Sequence, residues 1–310
     1  MIILNRKDPK GLIWIASYPR SGNTWTRAFL NALLNTMRDP SFSDIDINRI
    51  EEFTASESAA GQYRRFLGKS ADKASTAEIA AARPKVQAAI VEALKRPVLI
   101  KTHNANTLDH GVPIINLTVS AGAVYIVRDP RDVAISFAHL RNIPVDRMID
   151  DLGTSGFGRP ADRDNVRIIT GSWSEHVKSW TDRPSPAVLV VRYEDLLEKP
   201  AETFGAIAGH LLVQPSPEQV QRAIAMTDFG RLRGQEEAAG FVEKPGASVE
   251  PFFRQGRAGQ WREVLTEKQV ARIELDREPV LGRKLAGGKF AARDLGRDHR
   301  EQVAPVEGGR

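Results

Sequence analysis

Four short runs of apolar residues occur along the chain, and each is followed at once by polar residues. Short runs that are apolar without alternation are typical of strands buried on both faces of a parallel sheet. Between these runs, apolar residues recur at intervals of three and four, which is the spacing of amphipathic helices. The pattern predicts strands at 11–16, 98–101, 123–127 and 187–191.

Helices are predicted after each strand and in the C-terminal part of the chain. Asp129 and Pro130 suit the N-cap and the first turn of one of them. The predicted helices run from Asn23 to Thr36, over 76–95, from Pro130 to Leu140, over 165–181, over 196–211, over 215–226 and onward from Thr266. The pattern predicts short surface helices over 39–75, a Gly- and Arg-rich insert over 150–164 and a long loop over 230–260, a length typical of functional or mobile loops.

Strands that alternate with helices predict an α/β fold, with a parallel β-sheet flanked by helices in a P-loop-like arrangement. We expect a single domain over 1–285 and a charged, Gly-rich tail over 286–310. Ligands in such sheets bind beyond the carboxyl ends of the strands. Polar, partly cationic segments follow Ala16, Ile100 and Val127, so we expect these three segments to form one site.

The segment after the first strand has the character of an anion-binding loop. A loop that runs into a helix N-terminus offers free N–H groups and the positive end of the helix dipole. Gly22 permits a close approach of the backbone, Arg20 adds a permanent charge, and Ser21 and Thr24 add hydroxyl groups. No G-x-x-x-x-G-K-[ST] motif is present, so a nucleoside triphosphate with magnesium is not indicated. Taken alone, the segment also fits an ordinary capped helix.

The other two segments add a cation and a titratable base. Arg128 begins a strand-to-helix junction and can hold a phosphate by two parallel hydrogen bonds, with Ser136 further along the helix. The alternative is a solvated Arg–Asp pair at the surface. His103 titrates near neutrality and can take a proton from a hydroxyl group, although a single histidine is more often structural.

Composition narrows the classes of function. The 310 residues carry 44 basic and 39 acidic side chains, a net charge of +5, which permits an anionic ligand without requiring nucleic acid. The chain has no cysteine, which excludes disulfides, thiol catalysis and Cys-ligated zinc, and fits a reducing compartment. No apolar stretch is long enough to span a bilayer, and the N-terminus lacks the apolar core of a signal peptide. We therefore expect a cytoplasmic protein that neither spans a membrane nor binds nucleic acid.

These motifs carry a resemblance to the cytosolic-type sulfotransferases. The segment Tyr18–Trp25 resembles the family's 5′-phosphosulfate loop, Arg128–Ser136 resembles its 3′-phosphate-binding strand and helix, and Lys101–His103 is similar to its catalytic-histidine segment. Segments 171–180, 192–195 and 253–261 also follow the family's order, so the resemblance covers about 11–275. It implies transfer of the sulfuryl group of 3′-phosphoadenosine 5′-phosphosulfate (PAPS) to a hydroxyl or amine of a small-molecule acceptor, with 3′,5′-diphosphoadenosine (PAP) as product and no metal.

The resemblance also implies a role for individual residues. His103 is implied as the general base, and Arg20 replaces a family lysine that contacts the 5′-phosphate and the bridging oxygen. Because arginine does not give up its proton, we expect Arg20 to stabilise the leaving phosphate electrostatically. The implied contacts are Ser21, Gly22, Asn23 and Thr24 to the 5′-phosphate, Arg128, Ser136, Arg254 and Gly256 to the 3′-phosphate, and Trp25, Phe229, Tyr193 and Thr227 to the adenine. Gln255 stands where the family often has a lysine.

The acceptor stays open at this stage. The family's Leu-Pro after the histidine is replaced by Asn104-Ala105, which alters the acceptor side, and Asp109 and His110 are weaker candidates for the base. We expect the acceptor pocket to come from 39–70, 104–115, 140–163 and 230–252. A hint of a polar or anionic acceptor comes from Arg38, Arg64, Arg65, Arg141, Arg147, Arg159 and Arg163. Alcohol, phenol, sugar and amine all remain possible.

Three other functions compete with sulfuryl transfer. They are sulfation-assisted elimination on the same fold, a phosphate-loop kinase and a nucleotide-binding module without catalysis. The quaternary state is also undecided between monomer and homodimer. The family's dimer motif would follow Trp261, and here Thr266 is kept whereas Glu267 replaces an apolar residue.

Overall fold

The computed structural model describes residues 11–94, 96–246 and 248–275, and the backbone of 284–285 and 290–291. Lys284–Leu285 pairs antiparallel with Phe290–Ala291. Most of the tail predicted over 286–310 lies outside the described residues, so the tail remains a prediction.

A five-stranded parallel sheet lies at the centre of the fold, in the order β2-β3-β1-β4-β5. The strands are β1 (Gly11–Ser17), β2 (Thr54–Ser56), β3 (Pro97–Thr102), β4 (Ser120–Val127) and β5 (Val188–Arg192). The four predicted strands are confirmed. The edge strand β2 was not predicted, because three half-polar residues carry no readable pattern and are held by pairing with β3.

Helices cover the sheet on both faces, as predicted. They are α1 (Asn23–Arg38), α2 (Ala60–Leu67), α3 (Thr76–Leu94), α4 (Pro130–Arg141), α5 (Val145–Gly153), α6 (Trp173–Thr181), α7 (Tyr193–Glu198), α8 (Pro200–His210), α9 (Pro217–Met226), α10 (Phe229–Ala239), α11 (Trp261–Val264) and α12 (Glu267–Leu275). Short 3-10 turns lie at Ile47–Glu52, Ala71–Lys73 and Leu117–Val119.

Several predicted segments were wrong in part. Helix α5 runs into the insert predicted over 150–164, and the helix predicted over 196–211 is divided at Lys199 into α7 and α8. The helix predicted over 165–181 begins only at Trp173, because Ser172 and Glu175 form a capping box there, and Ile168–Ile169 instead pairs antiparallel with Gly158–Arg159. The loop predicted over 230–260 begins as α10. Its apolar periodicity is weak because Glu236, a charged residue, takes one of its buried positions.

The core consists of two layers separated by the sheet. Alternate residues of β1 point to opposite faces, so Trp14 packs with α4, α5 and α6, whereas Ile15 packs with α1, α8 and α9. Both side chains are completely buried. Because β1 is covered on both faces, its carboxyl end is held rigidly, and the register sets Ala16 beside Thr102 and Ser17 beside Ile126.

Candidate active site

A cavity of about 900 Å³ opens at the carboxyl edge of the sheet. It is lined by the anion-binding loop, by the residues that follow β3 and β4, and by what we call the cap segment, residues 240–246 and 248–260. The predicted site residues on its wall are Arg20, Gly22, Asn23, Thr24, Trp25, His103, Arg128, Ser136, Tyr193, Phe229, Arg254, Gln255 and Gly256. Ser21 and Thr227, also predicted, are fully buried behind the wall.

The anion-binding loop is held in a strained backbone path. Arg20 has φ of 68° and Gly22 has φ of 100°, both in the left-handed region. A Cβ atom at Gly22 would come within 2.8 Å of the Tyr193 ring, so this position requires glycine. Asn23 begins α1 and its amide donates to the Ile15 carbonyl at 2.9 Å, which fixes the helix N-terminus at the end of β1.

Arg20 reaches across the cavity rather than into solvent. Its Nε donates to Ser136 Oγ at 3.0 Å and its Nη2 donates to the Phe252 carbonyl at 2.7 Å. Burial, and next the positive charge of Arg128, lower the pKa of Arg20 to about 10. Arg20 therefore stays a cation at neutral pH, but in a desolvated setting where an anion is strongly attracted.

Arg128 contributes a second guanidinium, which is buried, whereas that of Arg20 is half-buried. Its two Nη atoms donate to the carbonyls of Arg20 and Arg257, both at 3.0 Å, and its Cζ lies 4.2 Å from the centre of the Tyr193 ring. Among the described residues, several buried side-chain atoms have no hydrogen-bond partner in the structure, and two of them, Arg128 Nε and Ser21 Oγ, belong to predicted site residues. Buried donors in proteins are nearly always satisfied, so Arg128 Nε points to a missing acceptor.

Aromatic side chains line another part of the cavity. The Trp25 indole donates to the Thr227 carbonyl at 2.9 Å, and the Thr227 hydroxyl is turned away to the Ala223 carbonyl at 2.8 Å. Thr227 thus orients Trp25 instead of offering its hydroxyl to the cavity. Gly256 lies against the Phe229 ring so closely that a Cβ atom would come within 2.3 Å of it.

His103 lies on the cavity wall with one ring nitrogen engaged. Its Nδ1 is 2.9 Å from the Ser17 carbonyl, which only a protonated Nδ1 can satisfy, so Nε2 is the basic nitrogen of the neutral ring. Burial, and next the charge of Lys101, lower the pKa of His103 to about 3. At neutral pH the ring is therefore neutral and able to accept a proton.

The two weaker candidates for the base lie elsewhere. Asp109 accepts a hydrogen bond from Arg167 at 3.0 Å in the interior, and His110 is exposed and contacts Thr76 at 2.8 Å. Of the residues that the structure describes, neither Asp109 nor His110 contributes to the cavity wall.

Glu243, on the cap segment, was missed by sequence reasoning. Its carboxylate accepts hydrogen bonds from the fully buried Arg27 at 2.7 and 2.8 Å, and from Lys101 Nζ at 2.9 Å. Burial raises the pKa of Glu243, but Arg27 and Lys101 outweigh burial and lower it to about 2. No local signal marks Glu243, since its partners are 216 and 142 residues away in sequence.

The remaining walls combine aromatic and small polar groups. Apolar surface comes from Phe137, Leu140, Phe157, Ile168 and Phe252, whereas Ser56, Ser58 and Asn165 supply hydroxyl and amide groups. Of the seven arginines that hinted at an anionic acceptor, two line the cavity, and each has a carboxylate partner, Arg141 with Asp151 and Arg159 with Asp162.

Two kinds of feature are absent from the part of the chain that the structure describes. Within it, no helix combines the length and apolar character needed to cross a membrane. Within the same residues, no group of three or more histidine, aspartate or glutamate side chains is placed to hold a metal ion.

Comparisons with known proteins agree with the geometry. The chain matches the sulfotransferase domain family over residues 10–285. It is 25% identical to mouse sulfotransferase 1B1, with 89% of this chain and 83% of that protein covered, and 27% identical to bovine sulfotransferase 1A1, with 90% and 85% covered. A solved mouse sulfotransferase in complex with PAP has the same fold, at a TM-score of 0.59 and 19% identity over 94% of this chain and 90% of that chain. A retinol dehydratase solved with androsterone and PAP gives a TM-score of 0.57 at 22% identity, covering 86% and 80%. The match over nearly the whole domain shows that this chain belongs to the sulfotransferase family.

Proposed function

We propose that this protein transfers the sulfuryl group of PAPS to a hydroxyl or amine of a small-molecule acceptor. One observation carries the proposal: the half-buried Arg20, the buried Arg128, a helix N-terminus and a neutral histidine face the same cavity. The cations suit a donor with several anionic groups. The neutral histidine suits removal of a proton from an attacking hydroxyl. A solved mouse sulfotransferase of the same fold holds PAP.

The residues present fit PAPS. Arg128 offers a buried Nε with no acceptor among the described residues, and Arg254 lies on the same wall. Arg20 and the N–H groups at the start of α1 provide a second group of donors. When bound, PAPS supplies the sulfuryl group, whose bond to the 5′-phosphate breaks as its bond to the acceptor forms. Trp25, Tyr193 and Phe229 offer ring faces suited to an adenine.

His103 and Arg20 divide the chemical work in this proposal. His103 Nε2 takes the proton from the hydroxyl or amine that receives the sulfuryl group, while the Ser17 carbonyl holds the ring in the correct tautomer. Arg20 keeps its positive charge throughout and stabilises the charge that grows on the leaving phosphate. Sulfuryl transfer, like phosphoryl transfer, depends mostly on positioning and electrostatic stabilisation, so preorganised cations should contribute most of the rate.

The acceptor is proposed to lie between the aromatic and the small polar walls. Phe137, Phe157 and Phe252 favour an acceptor with an apolar face, and Ser56 and Asn165 favour further hydroxyl or amide groups on its other side. Arg141 already donates to Asp151 at 3.0 Å, which leaves less of its charge for an anionic acceptor.

Calorimetric titration tests the donor site. Wild-type protein and Arg128→Ala are titrated with PAP and with 5′-AMP, which lacks the 3′-phosphate. We expect PAP to bind wild-type protein at least about 100-fold more tightly than 5′-AMP, because charge-assisted bonds to a desolvated phosphate contribute about 2–3 kcal/mol. Arg128→Ala should remove most of that preference.

The outcomes separate the competing functions. Equal binding of PAP and 5′-AMP by the wild-type protein would contradict the donor assignment. With PAPS and a panel of alcohols, phenols, sugars and amines, mass spectrometry of the product distinguishes transfer, which adds one sulfo group, from elimination, which leaves a dehydrated product. Tight PAP binding without any product from the panel would favour a nucleotide-binding module.

A further inference from the structure

The residue after His103 is Asn104, where the family motif that this segment resembles has a leucine. In the structure the Asn104 side chain makes specific hydrogen bonds. Asn104 is fully buried. Its Nδ2 donates to Glu57 Oε2 at 2.6 Å, and its Oδ1 accepts from the Ile169 backbone N–H at 2.7 Å. Its own carbonyl accepts from the Trp180 indole at 3.1 Å. Nδ2 also donates to Thr102 Oγ1 at 3.3 Å, and a leucine at this position could make none of these three side-chain bonds.

Glu57 is itself fixed from several directions. It is 2% exposed, and its Oε1 accepts from the Tyr63 hydroxyl at 2.8 Å and from the Arg83 guanidinium. Arg83 also donates to the Arg167 carbonyl at 2.8 Å. A buried carboxylate persists only when its lone pairs are satisfied, and the bonds from Tyr63, Arg83 and Asn104 satisfy Glu57.

The Asn104 amide therefore joins three segments around one part of the cavity. We call this part, between the aromatic and the small polar walls, the acceptor half, and the part at Arg20, Arg128 and the start of α1 the donor half. The first is the backbone after β3, which carries His103. The second is the end of β2, where Ser56 and Ser58 flank Glu57 and line the cavity. The third is the segment 168–170, in which Ile168 and Thr170 line the cavity on either side of Ile169. Glu57 and Asn104 do not themselves line it.

We propose that Asn104 and Glu57 form a positioning pair that fixes the acceptor walls relative to His103. This inference rests on the proposed sulfuryl transfer. Neither side chain contacts the donor half of the cavity, so the pair should affect the attack by the acceptor and leave donor binding alone. A misplacement of about 1 Å lowers the rate of a reaction of this kind by about 100-fold.

The test is a double-mutant cycle with a reversed hydrogen bond. Asn104→Asp sets a second carboxylate against Glu57, and Glu57→Gln sets an amide N–H₂ against that of Asn104. In Glu57→Gln/Asn104→Asp the donor and the acceptor of the hydrogen bond between positions 57 and 104 are exchanged. The network keeps one carboxylate to balance the charge of Arg83. The Ile169 N–H still has an oxygen acceptor at position 104. Asn104→Leu removes all the side-chain hydrogen bonds and keeps the number of side-chain heavy atoms.

We expect each single variant and Asn104→Leu to lower kcat/KM for the acceptor by about 10- to 100-fold. PAP affinity should stay within about twofold, since neither side chain lines the cavity. The double variant should recover most of the loss. Melting temperatures are measured in parallel and assays are run well below the lowest of them, so that unfolding does not contribute. The separation of kcat/KM from PAP affinity, and the rescue, are not expected of a role in stability alone.

Two results would overturn the inference. One is single variants with wild-type kcat and KM. The other is a double variant whose fold-loss of kcat/KM equals the product of the fold-losses of the two single variants. Failure of the proposed function is distinct, because wild-type protein would then give no product. In that event amide hydrogen exchange at Ile169 decides: lost protection in Asn104→Leu supports the positioning pair, and unchanged protection overturns it.

Discussion

At the scale of single residues, the protonation state of His103 follows from where β3 ends. The strand delivers His103 beside the Ser17 carbonyl, and Lys101, two residues earlier, adds a positive charge nearby. Both burial and that charge disfavour the imidazolium. The pKa of about 3 lies far below the ordinary value of 6.5.

A pH profile tests this state. For a histidine with an ordinary pKa, the neutral fraction, and with it kcat/KM, would halve as the pH falls to about 6.5. With the pKa lowered to about 3, kcat/KM for an acceptor that does not itself titrate should stay flat between pH 8 and pH 5. The measurement is the initial rate of sulfated product at saturating PAPS over this range.

Substitution of His103 supplies the matched experiment. His103→Ala should lower kcat by about 10²- to 10⁴-fold, the usual contribution of a positioned general base, and should leave PAP affinity nearly unchanged. An acid limb near pH 6.5 in the wild-type profile, or full turnover by the alanine variant, would remove His103 from the role of base.

At the scale of elements, the cap segment is held by two glutamates. Glu236 on α10 accepts from the backbone N–H groups of Phe252 and Phe253 at 2.6 and 2.8 Å, and Glu243 pairs with Arg27 and Lys101. One anchor fixes the middle of the segment at Phe252 and Phe253, and the other ties its start to α1 and β3. The cap segment is therefore fastened to the elements that carry the anion-binding loop and His103.

Removal of the second anchor should loosen the cap segment. Glu243→Gln leaves the fully buried Arg27 without its carboxylate, and breaking a buried pair from one side costs about 3–5 kcal/mol. We expect a free energy of unfolding lower by about this amount and faster hydrogen exchange over the described residues of the cap segment. Urea unfolding and exchange mass spectrometry measure the two effects.

The neighbouring α10 offers the control. Glu237 is exposed and pairs only at the surface with Arg233, so Glu237→Gln should change the free energy of unfolding by less than about 1 kcal/mol. If Glu243→Gln behaved like Glu237→Gln in both measurements, Glu243 would not be an anchor.

What could be predicted from the sequence depended on the range of the interactions. Strands β1, β3, β4 and β5 were predicted, because each carries its own apolar run. The loop at 17–25 and the junction at Arg128 were found because their chemistry is local to a strand end. Glu243 and Glu57 were missed, since each is defined by partners far away in sequence. Thr227 was expected to face the adenine, whereas its hydroxyl donates to the carbonyl of Ala223, four residues earlier, a bond that the residue type alone does not reveal.

At the scale of the whole molecule, the core layer that supports the site also contains a second neutral histidine. His176 on α6 is 0% exposed, with Nδ1 3.0 Å from the Tyr125 hydroxyl and Nε2 3.3 Å from the His103 carbonyl. Burial lowers the pKa of His176 to about 3. The ring is thus neutral in the folded protein, although it titrates near 6.5 in the unfolded chain.

This difference makes the fold sensitive to acid in a direction that can be worked out. Between pH 6.5 and pH 3 the unfolded state binds a proton at this site that the folded state does not, so stability falls as the pH falls. From pH 7 to pH 5, His176 alone should account for a loss of about 2 kcal/mol. Urea unfolding at the two pH values measures the total loss, and His176→Gln, which has no proton to gain, should reduce that loss by about the same 2 kcal/mol. An equal loss in both proteins would mean that His176 takes up its proton over the same pH range in the folded and unfolded states, and that the core beneath His103 accommodates a charge.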